Sequence, residues 1–431
     1  MNSFFKYQIS ALRQILKGTI LAGIGLLFIN LSAGCTSQEQ PSSKAIFIIV
    51  DGISADVLEE THTPNIDRVI EQGAYTRGWL GGIAGEYSES PTISAVGYNH
   101  VLTGVWSNKH NVYTNEIEKP NYHYWNIFRL FKHHHPDKPV AIYSSWLDNR
   151  TKLLGDRLPE AGNISIDIHY DGFDVDTLAF PHEYGYVQEI DEHVSNKAAE
   201  SIRRDSPYLS WVYLWYPDDT GHTYGEVEEH FESIKVADEQ VGRIYDAVQY
   251  RIENYNEDWL FVITTDHGRR LPDGKDHGGH TERERTIWIA TNKSDMNRFF
   301  FEGHPPITSI YPTIARYLGL SITPDHEKEL EGIPLIGDVS ISNPEIRFHE
   351  ENATIELEWT SWDDDGEVHI HVAATNHFQD GESDEYTHVK TVPLVDGRAE
   401  IDVSEMPSDF YKVVLEAPHN TVNRWVVNQP D

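Results

Sequence analysis

Five short stretches of this chain carry side chains that could do chemistry together. Asp51 closes the apolar run KAIFIIVDG, and Asp218 and His222 lie in PDDTGHTYG. Asp266 and His267 lie in TTDHGRR, while His277 and His280 sit among the glycines of GKDHGGHTERER. The fifth stretch, SPTISAVGYNHVLTG, holds the hydroxyls Ser90, Thr92, Ser94, Tyr98 and Thr103 ahead of a glycine. Carboxylates mixed with imidazoles form a ligand set for divalent metal ions. Taken singly, each stretch has an ordinary reading: a strand-ending Asp serves turns, a loop His is solvated, and Ser or Thr caps a helix.

The elements that must position these residues give them a common place. KAIFIIVDG (44–52), PVAIYSS (139–145), YLSWVYLWY (208–216), DWLFVITT (258–265) and TIWIA (286–290) read as buried strands. Helical signals fall between them. Thr63 and Pro64 open one helix that Gly73 stops, Val227 to Val248 recur at helical spacing, and ITSIYPTIARYLGL (307–320) forms another. Strands alternating with helices predict an α/β fold with a mainly parallel sheet covered on both faces. In such sheets, ligands bind beyond the carboxyl ends of strands, which is where Asp51, Asp218 and Asp266 fall. Residues 151–190 read as loops inserted above the sheet. The run His133, His134 and His135 reads as solvated loop or substrate-cap material before a strand.

After about residue 340 the pattern changes to period two. TIELEWT places Ile355, Leu357 and Trp359 on one face, and EVHIHVA does the same with Val368, Ile370 and Val372. RAEIDV and FYKVVLEA continue the series, predicting an antiparallel β-sandwich over 339–431.

The first forty residues are a separate object. Lys6, Arg13 and Lys17 precede the apolar run ILAGIGLLFINLSAG, which ends at Cys35, the single cysteine. SAGC resembles a bacterial lipobox, so residues 1–34 read as a lipoprotein signal peptide and 35–43 as a tether. The expectation is an exported chain, lipid-anchored through Cys35 in a bacterial cell envelope. The net charge is −35; without residues 1–34, Lys plus Arg drop from 34 to 31 against 69 acids, giving −38. Such a surface repels nucleic acid and anionic membrane, so no nucleic-acid polymer is expected as a partner. An anionic substrate then needs a locally positive site, which metal ions supply.

The ordered set VDG, TPNIDRVIEQGA, PTIS…LTG, NKHNVYTN, PDDTGH, TTDHG, HGG and IYPTIARYLG, over residues 44–338, resembles the alkaline phosphatase superfamily. Its type I phosphodiesterase/nucleotide pyrophosphatase branch is the most similar. The resemblance implies an alkaline phosphatase-like α/β/α sandwich holding two divalent metal ions, usually zinc. It places the nucleophile on Ser94, with Thr92 the nearest rival. One ion would be held by Asp51, Ser94, Asp266 and His267, and the other by Asp218, His222 and His277, with His280 the alternative third ligand. Asn115 matches an asparagine that contacts a phosphate oxygen. Many phosphodiesterase relatives have a Thr nucleophile followed by Pro and Asn, whereas Ala95, Val96 and Gly97 follow here. Sulfatases need Pro two residues and Arg four residues beyond their modified residue; here Val96 and Tyr98 stand there, against that activity. The resemblance implies hydrolysis of small phosphate diesters or nucleotide pyrophosphates through a phosphoseryl-type intermediate. The alternatives are a phosphomonoesterase or another phosphoryl or sulfuryl hydrolase of the superfamily, and a non-catalytic surface binding lipoprotein. Substrate choice would rest on loops 116–138 and 150–190.

The anchor reading is directly testable. Intact-mass analysis should find a lipid on an N-terminal Cys35, and Cys35→Ser should release the chain from the membrane fraction.

Overall fold

The computed structural model describes residues 40–172 and 186–427. The residues read as signal peptide, Cys35 and most of the stretch read as tether lie outside the described residues, as does part of the segment 150–190. Seven strands form the main sheet. They are β1 (Ser42–Val50), β2 (Ala74–Trp79), β3 (Val140–Ser144), β4 (Ile168–Asp171), β5 (Leu209–Leu214), β6 (Glu257–Thr264) and β7 (Thr286–Thr291). Their order is β2-β7-β6-β1-β5-β3-β4. All contacts from β6 through β4 are parallel, while β7 pairs antiparallel with both β6 and β2. The five sequence-read strands are present.

β1 shows why the sheet must be covered twice. Phe47 and Ile49 enter one apolar core, whereas Ile46, Ile48 and Val50 enter another, as alternation in a strand demands. The second core is closed by helices Pro64–Gln72, Tyr186–Arg204 and Glu228–Asn254. The first is closed by helices Ser94–Thr103, Ile127–His134 and Ile310–Tyr317. Helix Pro64–Gln72 begins after Thr63 as read, but the Thr63 hydroxyl does not cap it. The Asp238 carboxylate accepts the Asn65 and Ile66 N–H groups instead, at 3.1 and 2.8 Å, so a tertiary contact does the capping.

Two loop expectations are corrected. Segment 151–190 contributes β4, which pairs with β3, and the start of helix Tyr186–Arg204. His133 and His134 end helix Ile127–His134, whose buried face is Ile127, Phe128, Leu130 and Phe131. The helix was hidden because its histidines fall in the last turn, where a basic residue suits the helix dipole.

Among the described residues, seven further strands lie beyond residue 340: β8 (Ile341–His349), β9 (Thr354–Ser361), β10 (Glu367–Ala373), β11 (Thr387–Pro393), β12 (Arg398–Asp402), β13 (Phe410–Glu416) and β14 (Thr421–Val427). They form a four-stranded antiparallel sheet, β11-β10-β13-β14, and a three-stranded one, β12-β9-β8. Their inward residues, among them Ile355, Leu357, Val368, Ile370 and Val413, share one apolar core with the Ser94 helix layer. Among the described residues no helix is long and apolar enough to cross a membrane.

A buried ion network stitches the C-terminal sheets to the rest. Lys109 Nζ meets Glu331 Oε1 at 2.7 Å and donates to Glu329 O and Asn423 Oδ1 at 2.7 and 2.8 Å. Lys412 Nζ bridges Glu329 and Asp384, the latter at 2.8 Å. Removing one cation from such a network strands buried carboxylates, at about 3–5 kcal/mol. Lys412→Met should therefore lower the unfolding free energy by about 3–5 kcal/mol in denaturant titrations. The exposed Lys390→Met should change it by less than about 0.5 kcal/mol.

Candidate metal centre and nucleophile

The three central neighbours β6, β1 and β5 end at one edge of the sheet, and each delivers a carboxylate. Asp51 follows β1 directly, and Asp266 follows β6 by two residues. After β5 the chain enters helix Tyr216–Tyr224 at once, so PDDTGHTY is helical and Asp218 and His222 stand one turn apart. Asp191 pins that turn, accepting the Trp215 and Tyr216 N–H groups at 2.8 and 2.7 Å and the Ser145 hydroxyl. Burial pushes the Asp191 carboxyl up to about 7.

Ser94 is the first residue of helix Ser94–Thr103, all of which is buried. The helix can reach the end of β6 because Gly97 has no side chain: a Cβ there would stand 2.6 Å from the Asp266 carbonyl oxygen. Asn115 Oδ1 accepts the Ala95 N–H at 3.0 Å, which holds the NKHNVYTN block against this helix start.

The polar atoms gather into two adjoining clusters. In the first, His267 Nε2 lies 3.3 Å from Asp51 Oδ1, 3.4 Å from Asp266 Oδ2 and 3.5 Å from Ser94 Oγ. In the second, Asp218 Oδ2 lies 3.5 Å from His222 Nε2, and the Nε2 atoms of His222 and His277 are 3.1 Å apart. Asp218 belongs to both, because its ligand atom also comes within 4.8 Å of those of Asp51 and His267. The His267 and His277 rings stack at 3.6 Å between the clusters.

Donor bookkeeping shows what these clusters fit. His267 Nδ1 and His277 Nδ1 contact the carbonyl oxygens of Gly268 and Thr92, at 3.1 and 2.8 Å. Carbonyls only accept, so each Nδ1 carries the proton and each Nε2 offers a lone pair. Burial pushes both imidazoles down to about 4, which keeps them neutral at pH 7. Asp51 Oδ1 and Asp266 Oδ2 are buried and have no hydrogen-bond partner. Burial, together with the charges of Asp51 and Asp218, raises the Asp266 carboxyl well above its usual range. Lone pairs of two carboxylates and an imidazole therefore face one another without a proton donor, an arrangement that fits a divalent cation.

The remaining oxygens are satisfied by the protein. Tyr98 and Tyr213 donate to Asp51 Oδ2, the latter at 2.7 Å, and Gly52 N–H donates to Asp266 Oδ1 at 3.1 Å. Arg269, fully buried, donates to the Asp218 carboxylate and to the carbonyls of Asp218 and Gly52, at 2.8 and 3.0 Å. Sequence reasoning passed over Arg269 and Tyr213. Arg269 stands beside Arg270 with nothing to mark it as buried, and Tyr213 looks like any aromatic of a core strand. The Thr92 hydroxyl is engaged elsewhere: it donates to Gly279 O and accepts from Gly278 N, both at 2.9 Å, clamping the loop that carries His277. His280 turns to Glu89, at 3.4 Å, so His277 rather than His280 joins Asp218 and His222.

Residues 45–313 match the model of the type I phosphodiesterase/nucleotide pyrophosphatase family. Ectonucleotide pyrophosphatase/phosphodiesterase family member 7 of Rattus norvegicus is 22% identical over 241 residues, 54% of this chain and 51% of the relative. Bis(5'-adenosyl)-triphosphatase ENPP4 of Bos taurus is 22% identical over 255 residues, 56% and 51% of the two chains. This chain thus spans about half the length of the relatives it matches. Among solved structures, a 2-O GAG sulfatase superposes with a TM-score of 0.50 at 11% identity, covering 85% of this chain and 86% of its own, a likeness of fold. With the carboxylate and imidazole clusters at adjoining strand ends and the family match across most of the α/β sheet, the chain belongs to the type I phosphodiesterase/nucleotide pyrophosphatase family.

Proposed function

We propose that the chain is a metal-dependent hydrolase that cleaves small phosphate diesters or nucleotide pyrophosphate bonds, with Ser94 as nucleophile. The observation that carries this reading is the placement of Ser94 Oγ at a helix start, 3.5 Å from His267 Nε2 and beside two buried carboxylate oxygens without donors. Asp51, Asp266 and His267 with Ser94 would hold one divalent ion, and Asp218, His222 and His277 the other. Asp218 is close enough to serve both. Zinc suits these nitrogen and oxygen donors. When bound, the ions supply positive charge that stabilises the deprotonated serine and the phosphoryl oxygens.

The chain's own residues do the rest. Ser94 Oγ attacks phosphorus as the bond to the leaving oxygen breaks, giving a phosphoseryl or nucleotidyl-seryl intermediate that water hydrolyses. The amides at the helix start favour the anionic phosphoryl group. Asn115 spends its Oδ1 on Ala95 N–H, which leaves its Nδ2 to donate to a phosphoryl oxygen. Arg269 fixes Asp218 from behind, and the two tyrosines fix Asp51. Lipid anchoring through Cys35 in a bacterial envelope belongs to the same proposal, as does a division into a hydrolase part (44–338) and a sandwich (339–431).

Two measurements test it. Ser94→Ala removes the attacking oxygen and should cut turnover of bis-nitrophenyl phosphate by about a thousandfold or more in a folded protein. Thr92→Ala loses two buried hydrogen bonds, about 1–2 kcal/mol of stability, and should keep measurable turnover. An active Ser94→Ala beside a dead but folded Thr92→Ala would move the nucleophile to Thr92. In the second measurement, chelator treatment should abolish hydrolysis, and added zinc should restore it while raising the melting temperature. Full activity in the metal-free protein would overturn the metal requirement.

A further inference from the structure

The outer face of the four-stranded C-terminal sheet carries a group of imidazoles that the proposed hydrolysis does not use. His369 and His371 are two residues apart on β10, so both point away from the core that holds Val368, Ile370 and Val372. On β11 the direct partner of His371 is His388, and that of His369 is Thr391. On β13 the partner of His369 is Glu416. Three imidazoles and a carboxylate therefore share one face across three adjacent strands.

Their ring spacing is near that of a chelate. Two imidazoles bound to one tetrahedral ion, with metal–nitrogen distances of about 2.0–2.1 Å, have ring centres roughly 5 Å apart. The His371 and His388 centroids are 5.3 Å apart, and those of His369 and His388 are 5.9 Å apart. In the Asp218 cluster, the corresponding His222–His277 separation is 4.9 Å. The ring nitrogens also converge. His369 Nδ1 and His388 Nε2 both reach the Thr391 hydroxyl, at 3.0 and 2.8 Å. His371 Nε2 lies 3.3 Å from Glu416 Oε2, yet has no hydrogen-bond partner.

We propose that His369, His371 and His388, with Glu416, form a surface site for a divalent transition-metal ion, separate from the Asp218 clusters. Imidazole donors select zinc, copper or nickel over magnesium or calcium. Their ligand atoms do not all lie within 4.8 Å of one another, as those of the Asp218 clusters do, so binding requires side-chain rotations that give up the Thr391 contacts.

The experiment is zinc uptake by the chelator-treated full chain, read as metal per protein after equilibrium dialysis. His371→Ala/His388→Ala should take up one equivalent fewer than wild type and retain wild-type hydrolysis of bis-nitrophenyl phosphate. His369→Ala/His388→Ala, which spares the half-buried His371, should show the same loss. His133→Ala/His134→Ala, which removes two histidines elsewhere, should bind as wild type does. Unchanged uptake in both sheet variants, or an equal loss in the His133/His134 variant, would overturn the site. Loss of hydrolysis along with the missing equivalent would also overturn it, because the ion would then belong to the Asp218 clusters.

Discussion

Three carboxylates buried at neighbouring strand ends govern the architecture around them. Asp51, Asp218 and Asp266 are each under a twentieth exposed, and two of their oxygens have no donor. Burying one ionised carboxylate costs several kcal/mol unless it is paired, and three in one pocket repel one another as well. The protein meets part of that demand with tyrosine hydroxyls, the Gly52 amide and the Arg269 guanidinium. What it leaves unmet is directed inward, toward neutral imidazole nitrogens. The unmet part fits a multiply charged cation better than any single protein donor.

That constraint explains features that look unrelated along the chain. Parallel pairing of β6, β1 and β5 brings three strand ends to one edge, as an antiparallel arrangement of neighbours would not. Gly97 lets the serine helix touch the end of β6, and Gly52, at φ +69°, would place a Cβ 2.6 Å from Asp218 Oδ1. Asp191 sets the first turn of the helix bearing Asp218 and His222. Thr92, two residues before the serine, clamps the His277 loop, so Ser94 and His277 are fixed against each other. The Thr92 hydroxyl is engaged by two backbone groups of that loop.

The C-terminal sheets take part in this positioning at a distance. Lys109 is held by Glu329, Glu331 and Asn423, and Lys412 closes the network from β13. Lys109 is the second residue of the block that ends at Asn115, so the sheets brace the loop beside the serine. Their inward face is core and their outer face is free for other chemistry, which is where the histidines of β10 and β11 lie.

Local pattern determined much of this chain. Apolar runs ending in Asp read as strands because a buried parallel strand must be apolar on both faces, and the reading located Asp51, Asp218 and Asp266 at their ends. Period two beyond residue 340 marked the antiparallel sheets for the same local reason. The tertiary structure decided what local pattern does not encode. It chose His277 over His280, since two histidines three residues apart in a glycine loop differ only in what packs behind them: Thr92 O for one, Glu89 for the other. It made Arg269 a buried partner of Asp218 although its neighbour Arg270 stays on the surface. It also gave Asp218 a place in both clusters, because proximity across three strand ends is set by strand order and helix packing. Strand β4 was missed because its weak periodicity is completed only by the surface it packs on, and the helix over 127–134 because its apolar face is short and runs straight into the histidines.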